Sequence, residues 1–216
     1  MDLANKKIAI IIAHPDDEAI GCGGFINKAS TIGATSRVIL PTRRIDPRGI
    51  KHWDELVKQF HDSCKLLGAE AIVTPHATDD LFAEQFIPQI VQEIDPHIQW
   101  ADIILTHWHG DMHQAHQALS RAVELCTRPF RRHKTVLCFE IATATDQPYF
   151  QTFSPNCFVV LDEIDVQKKI DAMRYYDTEQ IAGRFAENLK HQLSYRGNQI
   201  GTSYAESFML MRHFIY

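Results

Sequence analysis

The sequence predicts an α/β protein: a Rossmann-like three-layer sandwich with a mostly parallel sheet and a C-terminal extension of helices and a strand. Three observations support this fold class. Short β-branched runs alternate with longer amphipathic segments at intervals of about 30 residues, the spacing of right-handed βαβ units. The first run, Ile8–Ala13, is apolar throughout, as expected of a strand covered on both faces. Beyond about residue 158 the pattern changes and predicts further helices and a closing strand.

The elements follow one another along the chain without a low-complexity linker. We expect strands at Ile8–Ala13, Arg37–Leu40, Ala71–Thr74, Ile103–Thr106, Val136–Ile141, Phe158–Leu161 and residues 204–211. Apolar residues at helical spacing predict helices over residues 17–32, 52–67, 83–94, 112–127, 164–176 and 179–195. Pro88 is expected to kink the third helix. We expect residues 1–216 to form a single domain.

Composition excludes several classes of protein and partner. The 216 residues are 45% hydrophobic and carry a net charge of −5, so no basic field attracts nucleic acid or anionic lipid. Five widely spaced cysteines without a C-x-x-C pair predict a reduced compartment, not a disulfide scaffold. The apolar run Ile8–Ala13 is too short for a signal-peptide core or a membrane span. We therefore expect a cytoplasmic protein without membrane insertion. The only unusual feature of the composition is its twelve histidines.

The first strand is followed by the run His14-Pro15-Asp16-Asp17-Glu18. One interpretation is a helix start, with Asp16 or Asp17 as the N-cap. This leaves His14 unexplained, because a histidine then stands at the strand end where parallel sheets bind ligands. The glycines that follow, Gly21, Gly23 and Gly24, fit no phosphate-binding loop and predict close packing of the helix on the sheet.

The segment after the fourth strand contains four histidines: His107, His109, His113 and His116. Asp111 and Gln114 have the spacing of a capping box, which predicts a helix from about Met112. His113 and His116 would then lie one turn apart on the same face. A polar surface loop with incidental histidines is the alternative, and we assign no role to His107 or His109.

Together the two motifs supply the parts of a catalytic metal site. His14, Asp17 and His116 form a two-histidine, one-carboxylate set, which leaves coordination positions open as in catalytic zinc sites. A zinc-bound water has a pKa of about 7. Asp16 could accept the proton of that water as general base, and His113 could protonate a leaving group or stabilise an oxyanion. The set predicts hydrolysis of an unactivated amide.

The run from Ala13 to Glu18, followed by Gly21-Cys22-Gly23-Gly24, resembles the signature of the LmbE-like (PIG-L) zinc-dependent N-deacetylases. These are Rossmann-like enzymes that remove N-acetyl groups from amino sugars. His113-Gln114-Ala115-His116 is similar to the family's second motif, histidine-x-aspartate-histidine. Further similar segments span nearly the whole chain: Thr127-Arg128-Pro129, Phe139-Glu140-Ile141, Phe153-Ser154-Pro155-Asn156, Lys168-Lys169-Ile170-Asp171-Ala172, Arg196-Gly197 and Tyr204-Ala205-Glu206-Ser207-Phe208.

The resemblance implies one Zn²⁺ per chain, held by His14, Asp17 and His116. It also implies Asp16 as the general base and His113 as the residue that assists the tetrahedral intermediate. The expected substrate is a small N-acetylated sugar or conjugate, such as an N-acetylglucosamine derivative, and the family is compatible with a homo-oligomer. Ala115 departs from the family's usual aspartate, and Asp111 is the candidate to supply a carboxylate to one histidine instead.

Substrate contacts are expected from Arg43 and Arg44, which follow the second strand, and from Glu140 near the end of the fifth. Solvated loop charges are the alternative interpretation of the arginines. A solvated turn is expected at Asp79 and Asp80.

Two other functions are compatible with part of this pattern. A binding module that has kept the fold and lost catalysis would explain Ala115, although the presence of Asp16 argues against it. The set of His14, Asp16 and His116 also matches the facial triad of non-haem iron oxygenases. The alternating α/β pattern argues against that chemistry, which we associate with antiparallel barrels.

Overall fold

The computed structural model describes residues 2–180 and 184–215, apart from the side chain of Arg48. The strands in this part are β1 (Lys7–Ile11), β2 (Thr35–Arg43), β3 (Ala69–Asp79), β4 (Ile103–His107), β5 (Thr135–Phe139), β6 (Cys157–Val160) and β7 (Ala205–Arg212). The α-helices are α1 (Asp17–Thr31), α2 (Pro47–Leu67), α3 (Ile87–Trp100), α4 (Gln114–Cys126), α5 (Glu163–Met173) and α6 (Leu189–Gln199). Among the described helices, none has the length and hydrophobicity needed to cross a bilayer.

The strands form one seven-stranded sheet in the order β3-β2-β1-β4-β5-β7-β6. β1 to β5 are parallel, and β7 runs antiparallel between β5 and β6. One face packs against α1, α2, α5 and α6, and the other against α3 and α4. Residues of β1 alternate between the two apolar cores, since Ile8 and Ile10 face the first group of helices and Ala9 and Ile11 the second. The predicted three-layer α/β fold is confirmed.

Two strand boundaries matter for the site. β1 stops at Ile11, short of the expected Ala13, so residues 12–16 are free to form the turn that carries His14. β3 continues to Asp79, well beyond the expected Thr74, because it stays paired with β2 as far as Arg43. Asp80 therefore lies directly at the carboxyl edge of the sheet.

The helices also differ from expectation. α2 begins at Pro47, because Asp46 accepts the backbone N–H of Gly49 at 2.6 Å and proline suits a first turn. The expected kink at Pro88 is wrong, because Pro88 lies in the first turn of α3, where no intrahelical hydrogen bond is lost. The helix predicted over 179–195 includes residues 181–183, which lie outside the described residues; α6 itself starts at Leu189.

The two glycines Gly21 and Gly24 explain how closely α1 approaches its neighbours. A Cβ on Gly21 would lie 2.5 Å from the ring of Phe139 on β5, and one on Gly24 would collide with Leu161. The prediction that these glycines serve close packing is confirmed.

Helix α1 is broken at Cys22, whose φ of −149° and ψ of 23° are not helical. A buried ion pair occupies the break. Lys169 Nζ donates to the carbonyl of Ile20 and to Glu206 Oε1, each at 2.6 Å. The carboxylate of Glu206 accepts the N–H groups of Gly24 at 2.9 Å and Phe25 at 2.6 Å. The pair thus satisfies the backbone groups that the break leaves unpaired, and it ties α1 to α5 and β7.

Replacing Lys169 with methionine is expected to lower the free energy of unfolding by about 3–5 kcal/mol, because Glu206 would be left buried and unpaired. Denaturant unfolding followed by circular dichroism measures this loss. The double variant Lys169→Met/Glu206→Gln, which keeps an acceptor for the two N–H groups, is expected to recover part of it. A single variant that loses less than about 1 kcal/mol would contradict this role for the pair.

Candidate metal centre

The site lies at the carboxyl ends of β1 and β4, where the strand order of the sheet reverses. From β1 the sheet continues to β2 and β3, and from β4 it continues to β5. Connections that leave two such strands diverge to opposite faces and open a crevice between them. The turn after β1 carries His14 and Asp17, and the segment after β4 carries His113 and His116. The fold therefore brings the two sequence motifs together.

Three side chains place their ligand atoms at the corners of a nearly equilateral triangle. His14 Nδ1 lies 3.5 Å from Asp17 Oδ2 and 3.3 Å from His116 Nε2, and His116 Nε2 lies 3.6 Å from Asp17 Oδ2. All three side chains are buried. Ligands at about 2.0–2.2 Å from a tetrahedral zinc ion stand about 3.3–3.6 Å apart, so the spacing suits this ion.

The hydrogen bonding at the triangle also suits a cation. The facing nitrogens of His14 and His116 can share at most one proton between them. Asp17 Oδ1 is buried and has no hydrogen-bond partner, whereas buried polar atoms are normally paired. Imidazole and carboxylate are ligands that Zn²⁺ accepts. The residues present therefore fit a divalent metal ion.

The side chain of Asp17 folds back onto the segment after β1 and does not cap α1. Its Oδ2 accepts the backbone N–H of His14 at 2.8 Å and that of Ala13 at 3.2 Å. Burial by itself raises the pKa of this carboxyl, but His116 and His107 outweigh burial and hold the pKa well below its ordinary value. Asp17 is therefore an anion at the centre of the cluster.

Asp80 faces the second ring nitrogen of His14. Its Oδ2 lies 3.3 Å from His14 Nε2, while Oδ1 accepts the backbone N–H of Ile45 at 3.1 Å. Burial lowers the pKa of His14, but the contacts with Asp17 and Asp80 outweigh burial and raise it to about 9. A proton on Nε2 is held by Asp80, which leaves Nδ1 as the nitrogen for a metal. The solvated turn expected at Asp80 is wrong, because this residue is buried.

Asp111 has the same relation to His116. Its Oδ1 lies 3.1 Å from His116 Nδ1 and accepts the backbone N–H of His113 at 2.8 Å, and its Oδ2 accepts from Thr145 Oγ1 at 2.6 Å. His116 thus presents Nε2 toward the triangle. Burial, together with His107, lowers the pKa of His116 to about 3, so this ring is neutral at pH 7.

Asp16 stands beside the triangle in an unusual backbone conformation, with φ of 115° and ψ of −27°. Such values cost a non-glycine residue about 1–3 kcal/mol. Asp16 is the residue before α1, yet its carboxylate makes no cap hydrogen bond, and its buried Oδ1 has no partner. Its Oδ2 lies 3.8 Å from Arg184 Nη1. Burial and the adjacent charge of Asp17 raise its pKa well above the ordinary value, while Arg184 opposes the rise.

His113 is the N-cap of α4. Its Nδ1 accepts the backbone N–H of Ala115 at 3.2 Å, and its ring contacts those of His14 and His116 with centroids 4.6 and 4.7 Å apart. Burial and the neighbouring His14 lower the pKa of His113 to about 4. The expected capping box is wrong, because Gln114 donates to the carbonyl of Leu81 and the helix starts at Gln114.

His107, to which the sequence assigned no role, belongs to the cluster. It is fully buried at the end of β4, and its ring stacks on that of His116 with centroids 3.8 Å apart. Its Nε2 lies 3.3 Å from Asp17 Oδ2 and 3.1 Å from the backbone nitrogen of Ala13. The signal in the sequence was its position as the last residue of a strand at the switch point. His109, two residues on, is exposed and lies against Trp108.

The three residues expected to contact substrate lie in different surroundings. Arg43 is exposed, with its guanidinium 5.8 Å from the centroid of the Trp53 ring. The others are engaged in ion pairs: Arg44 with Glu179 at 2.9 Å and Asp46 at 3.1 Å, and Glu140 with Arg196 at 2.6 Å. Substrate contact remains a prediction for all three.

Replacing Asp111 or Asp80 with alanine is expected to weaken zinc binding about 10- to 100-fold, because these carboxylates hold the orientation and tautomer of the two histidines. Competition with a chromophoric chelator measures the affinity and requires no turnover. Asp79→Ala is the matched control, since Asp79 is exposed beside Asp80 and its loss should leave the affinity unchanged. Equal zinc affinities in all three variants would contradict the view that Asp80 and Asp111 orient the two histidines for a metal ion.

Comparisons with solved structures agree with this architecture. The N,N'-diacetylchitobiose deacetylase of Pyrococcus horikoshii has a TM-score of 0.74 at 19% identity, covering 98% of this chain and 87% of its own. The zinc-inhibited form of the teicoplanin deacetylase Orf2 has a TM-score of 0.70 at 13% identity, covering 94% of this chain and 96% of its own. The 4-carboxy-2-hydroxymuconate hydratase GalB of Pseudomonas putida KT2440 has a TM-score of 0.69 at 16% identity, covering 98% of both chains.

At these identities the neighbours share the fold with this chain. No curated protein sequence gives a match. The family model described as PIG-L, GlcNAc-PI de-N-acetylase, matches residues 9–127, a segment that contains both histidine motifs and covers more than half of the chain. This chain belongs to the PIG-L family of de-N-acetylases.

Proposed function

We propose that this protein is a zinc-dependent hydrolase that removes the N-acetyl group from an amino-sugar derivative, releasing acetate and a free amine. The observation that carries the proposal is the buried triangle of His14, Asp17 and His116 beside an unpartnered carboxylate oxygen of Asp16. Membership of a de-N-acetylase family and the structural likeness to two deacetylases support it.

We assign one Zn²⁺ per chain to His14, Asp17 and His116. When bound, this ion polarises a carbonyl group and lowers the pKa of a water molecule to about 7. Three protein ligands leave open positions, which is typical of catalytic and not of structural sites. The outer carboxylates of Asp80 and Asp111 keep the two rings oriented.

Asp16 is proposed to accept the proton of the attacking water. Its free Oδ1 can receive a hydrogen bond, and its raised pKa brings its proton affinity closer to that of a general base working near neutral pH. Arg184 stands 3.8 Å from the other oxygen and limits the rise in pKa. The water oxygen adds to the amide carbon, the C–N bond breaks, and Asp16 passes the proton to the leaving nitrogen.

His113 is proposed to stabilise the oxygen that gains negative charge. Its pKa of about 4 keeps the ring neutral at pH 7. Since Nδ1 accepts from Ala115, the proton of the neutral ring lies on Nε2. The ring can therefore donate a hydrogen bond to the developing oxyanion.

The sugar is proposed to lie toward Glu140. A cavity of about 240 Å³ is lined by Glu140, Arg196 and Thr145 among others, and Thr145 donates to Asp111 beside the metal site. Arg43 and Arg44 are proposed as further contacts. Burial lowers the pKa of Arg44, but the contact with Glu179 and the nearby carboxylates of Asp46 and Asp16 outweigh burial and raise it. Arg44 therefore lies within electrostatic range of the proposed base.

We also propose that residues 1–216 form one domain that acts in the cytoplasm. The insertion of β7 between β5 and β6 supports a single domain, because it joins the C-terminal part to the parallel sheet. The five unpaired cysteines suit a reducing compartment.

Replacing Asp16 with asparagine is expected to lower kcat/KM about 10²- to 10⁴-fold while the zinc content stays at one per chain, because the variant loses the base and keeps every ligand. Acetate release from N-acetylglucosamine, N,N'-diacetylchitobiose and a nucleotide-linked N-acetyl sugar measures the activity. Asp79→Asn, an exposed aspartate, is the control and is expected to match the wild type.

Three outcomes would contradict the proposal at different points. If the zinc-loaded wild type binds these sugars without releasing acetate, a binding module is favoured. Full activity of Asp16→Asn would exclude Asp16 as the base. Loss of zinc from Asp16→Asn would overturn the ligand assignment.

A further inference from the structure

The backbone of Asp16 is held in a conformation that its own side chain does not maintain. With φ at 115° it lies in a region that L-residues rarely adopt, and such a conformation persists only where the surroundings enforce it. An aspartate at this position with extended backbone would cap its own helix. In the observed conformation the carboxylate makes no cap, and Oδ1 stays free.

Two backbone contacts keep Asp16 in place. Its carbonyl accepts the N–H of Ile20 at 2.9 Å, the first hydrogen bond of α1. Its N–H donates to Oε2 of Glu18 at 3.3 Å. The first contact is made at the start of any helix, so the second is the one specific to this turn.

Glu18 is itself held by side chains from α2 and from the segment that follows α5. It is fully buried, and its Oε1 accepts from Ser63 Oγ of α2 at 2.5 Å and from Tyr176 Oη, three residues beyond α5, at 2.6 Å. Among the described residues, two groups of side chains could hold a metal ion, and neither contains Glu18: His14, His113 and His116, and Asp17, His107 and His116. The proposed reaction gives it no other task.

We propose that Glu18, clamped by Ser63 and Tyr176, is a positioning residue that holds Asp16 in its left-handed conformation and so keeps the carboxylate directed away from the helix end. The inference rests on the proposed function, in which Asp16 is the base. Because the clamp spans three separate parts of the chain, it fixes the base more firmly than the turn could alone.

The test compares two deletions of a tyrosine hydroxyl. Tyr176→Phe removes one donor to Glu18 and keeps the ring, whereas Tyr175→Phe makes the same change at an exposed neighbour. We expect Tyr176→Phe to lower kcat about 10- to 100-fold, since small misplacements of a reacting group have effects of this size. KM and zinc content should stay within about twofold, and Tyr175→Phe should match the wild type.

Variants of Glu18 provide a rescue and a structural readout. Glu18→Gln keeps an oxygen that can accept the N–H of Asp16, so its kcat is expected to exceed that of Glu18→Ala. A crystal structure of Glu18→Ala, or of Tyr176→Phe if the alanine variant does not fold, should show φ of Asp16 moved to negative values or its carboxylate displaced.

Equal kcat in Tyr176→Phe and Tyr175→Phe would overturn the proposal. An unchanged Asp16 in the crystal structures would also overturn it, whatever the activity. Failure of the proposed function is recognised separately, by a wild type that releases no acetate or by full activity of Asp16→Asn.

Discussion

The buried carboxylate of Asp17 is the group on which the rest of the site depends. Backbone N–H groups of Ala13 and His14 fix its Oδ2, and nitrogens of His14, His107 and His116 lie 3.3–3.6 Å from the same atom. A buried anion without partners is strongly destabilising. The end of β1, the end of β4 and the start of α4 must therefore meet at this point. The reversal of strand order between β1 and β4 makes that meeting possible.

The carboxylates of Asp80 and Asp111 determine which ring nitrogen each of the two histidines presents to the triangle. Asp80 faces Nε2 of His14, and Asp111 faces Nδ1 of His116, so the nitrogens left toward the triangle are Nδ1 in one ring and Nε2 in the other. Ala115, the departure from the family motif, is fully buried in the apolar core that includes α3 and α4. Its backbone N–H donates to His113. The chain thus has a carboxylate against His116 without an aspartate at position 115.

Local pattern was enough to predict the fold class and to indicate three side chains that the structure brings together, His14, Asp17 and His116. Apolar runs mark the strands, and acids beside histidines at strand ends mark the crevice. Asp80 could not be selected in this way, because its place depends on β3 pairing with β2 as far as Asp79. Strand propensity weakens after Thr74, so the extension is a property of the sheet and not of the segment.

The errors at helix ends and the missed role of His107 have a similar cause. Asp111 and Gln114 have the spacing of a capping box, but Thr145, more than thirty residues away, takes one carboxylate oxygen of Asp111. The place of His107 in the site depends on the ring of His116, which stacks on it, and on the carboxylate of Asp17, which belongs to the first motif. Such partners are set by tertiary packing, which spacing along one segment does not encode.

We propose that His14, Asp17 and His116 are together the protein ligands of one metal ion. A crystal structure of the zinc-loaded protein, with anomalous diffraction measured at the zinc edge, tests this most directly. We expect one anomalous peak per chain within about 2.0–2.2 Å of His14 Nδ1, Asp17 and His116 Nε2, with at least one coordination position not filled by protein. A peak bound by His107 in place of His14, or a sphere closed by four protein ligands, would contradict it.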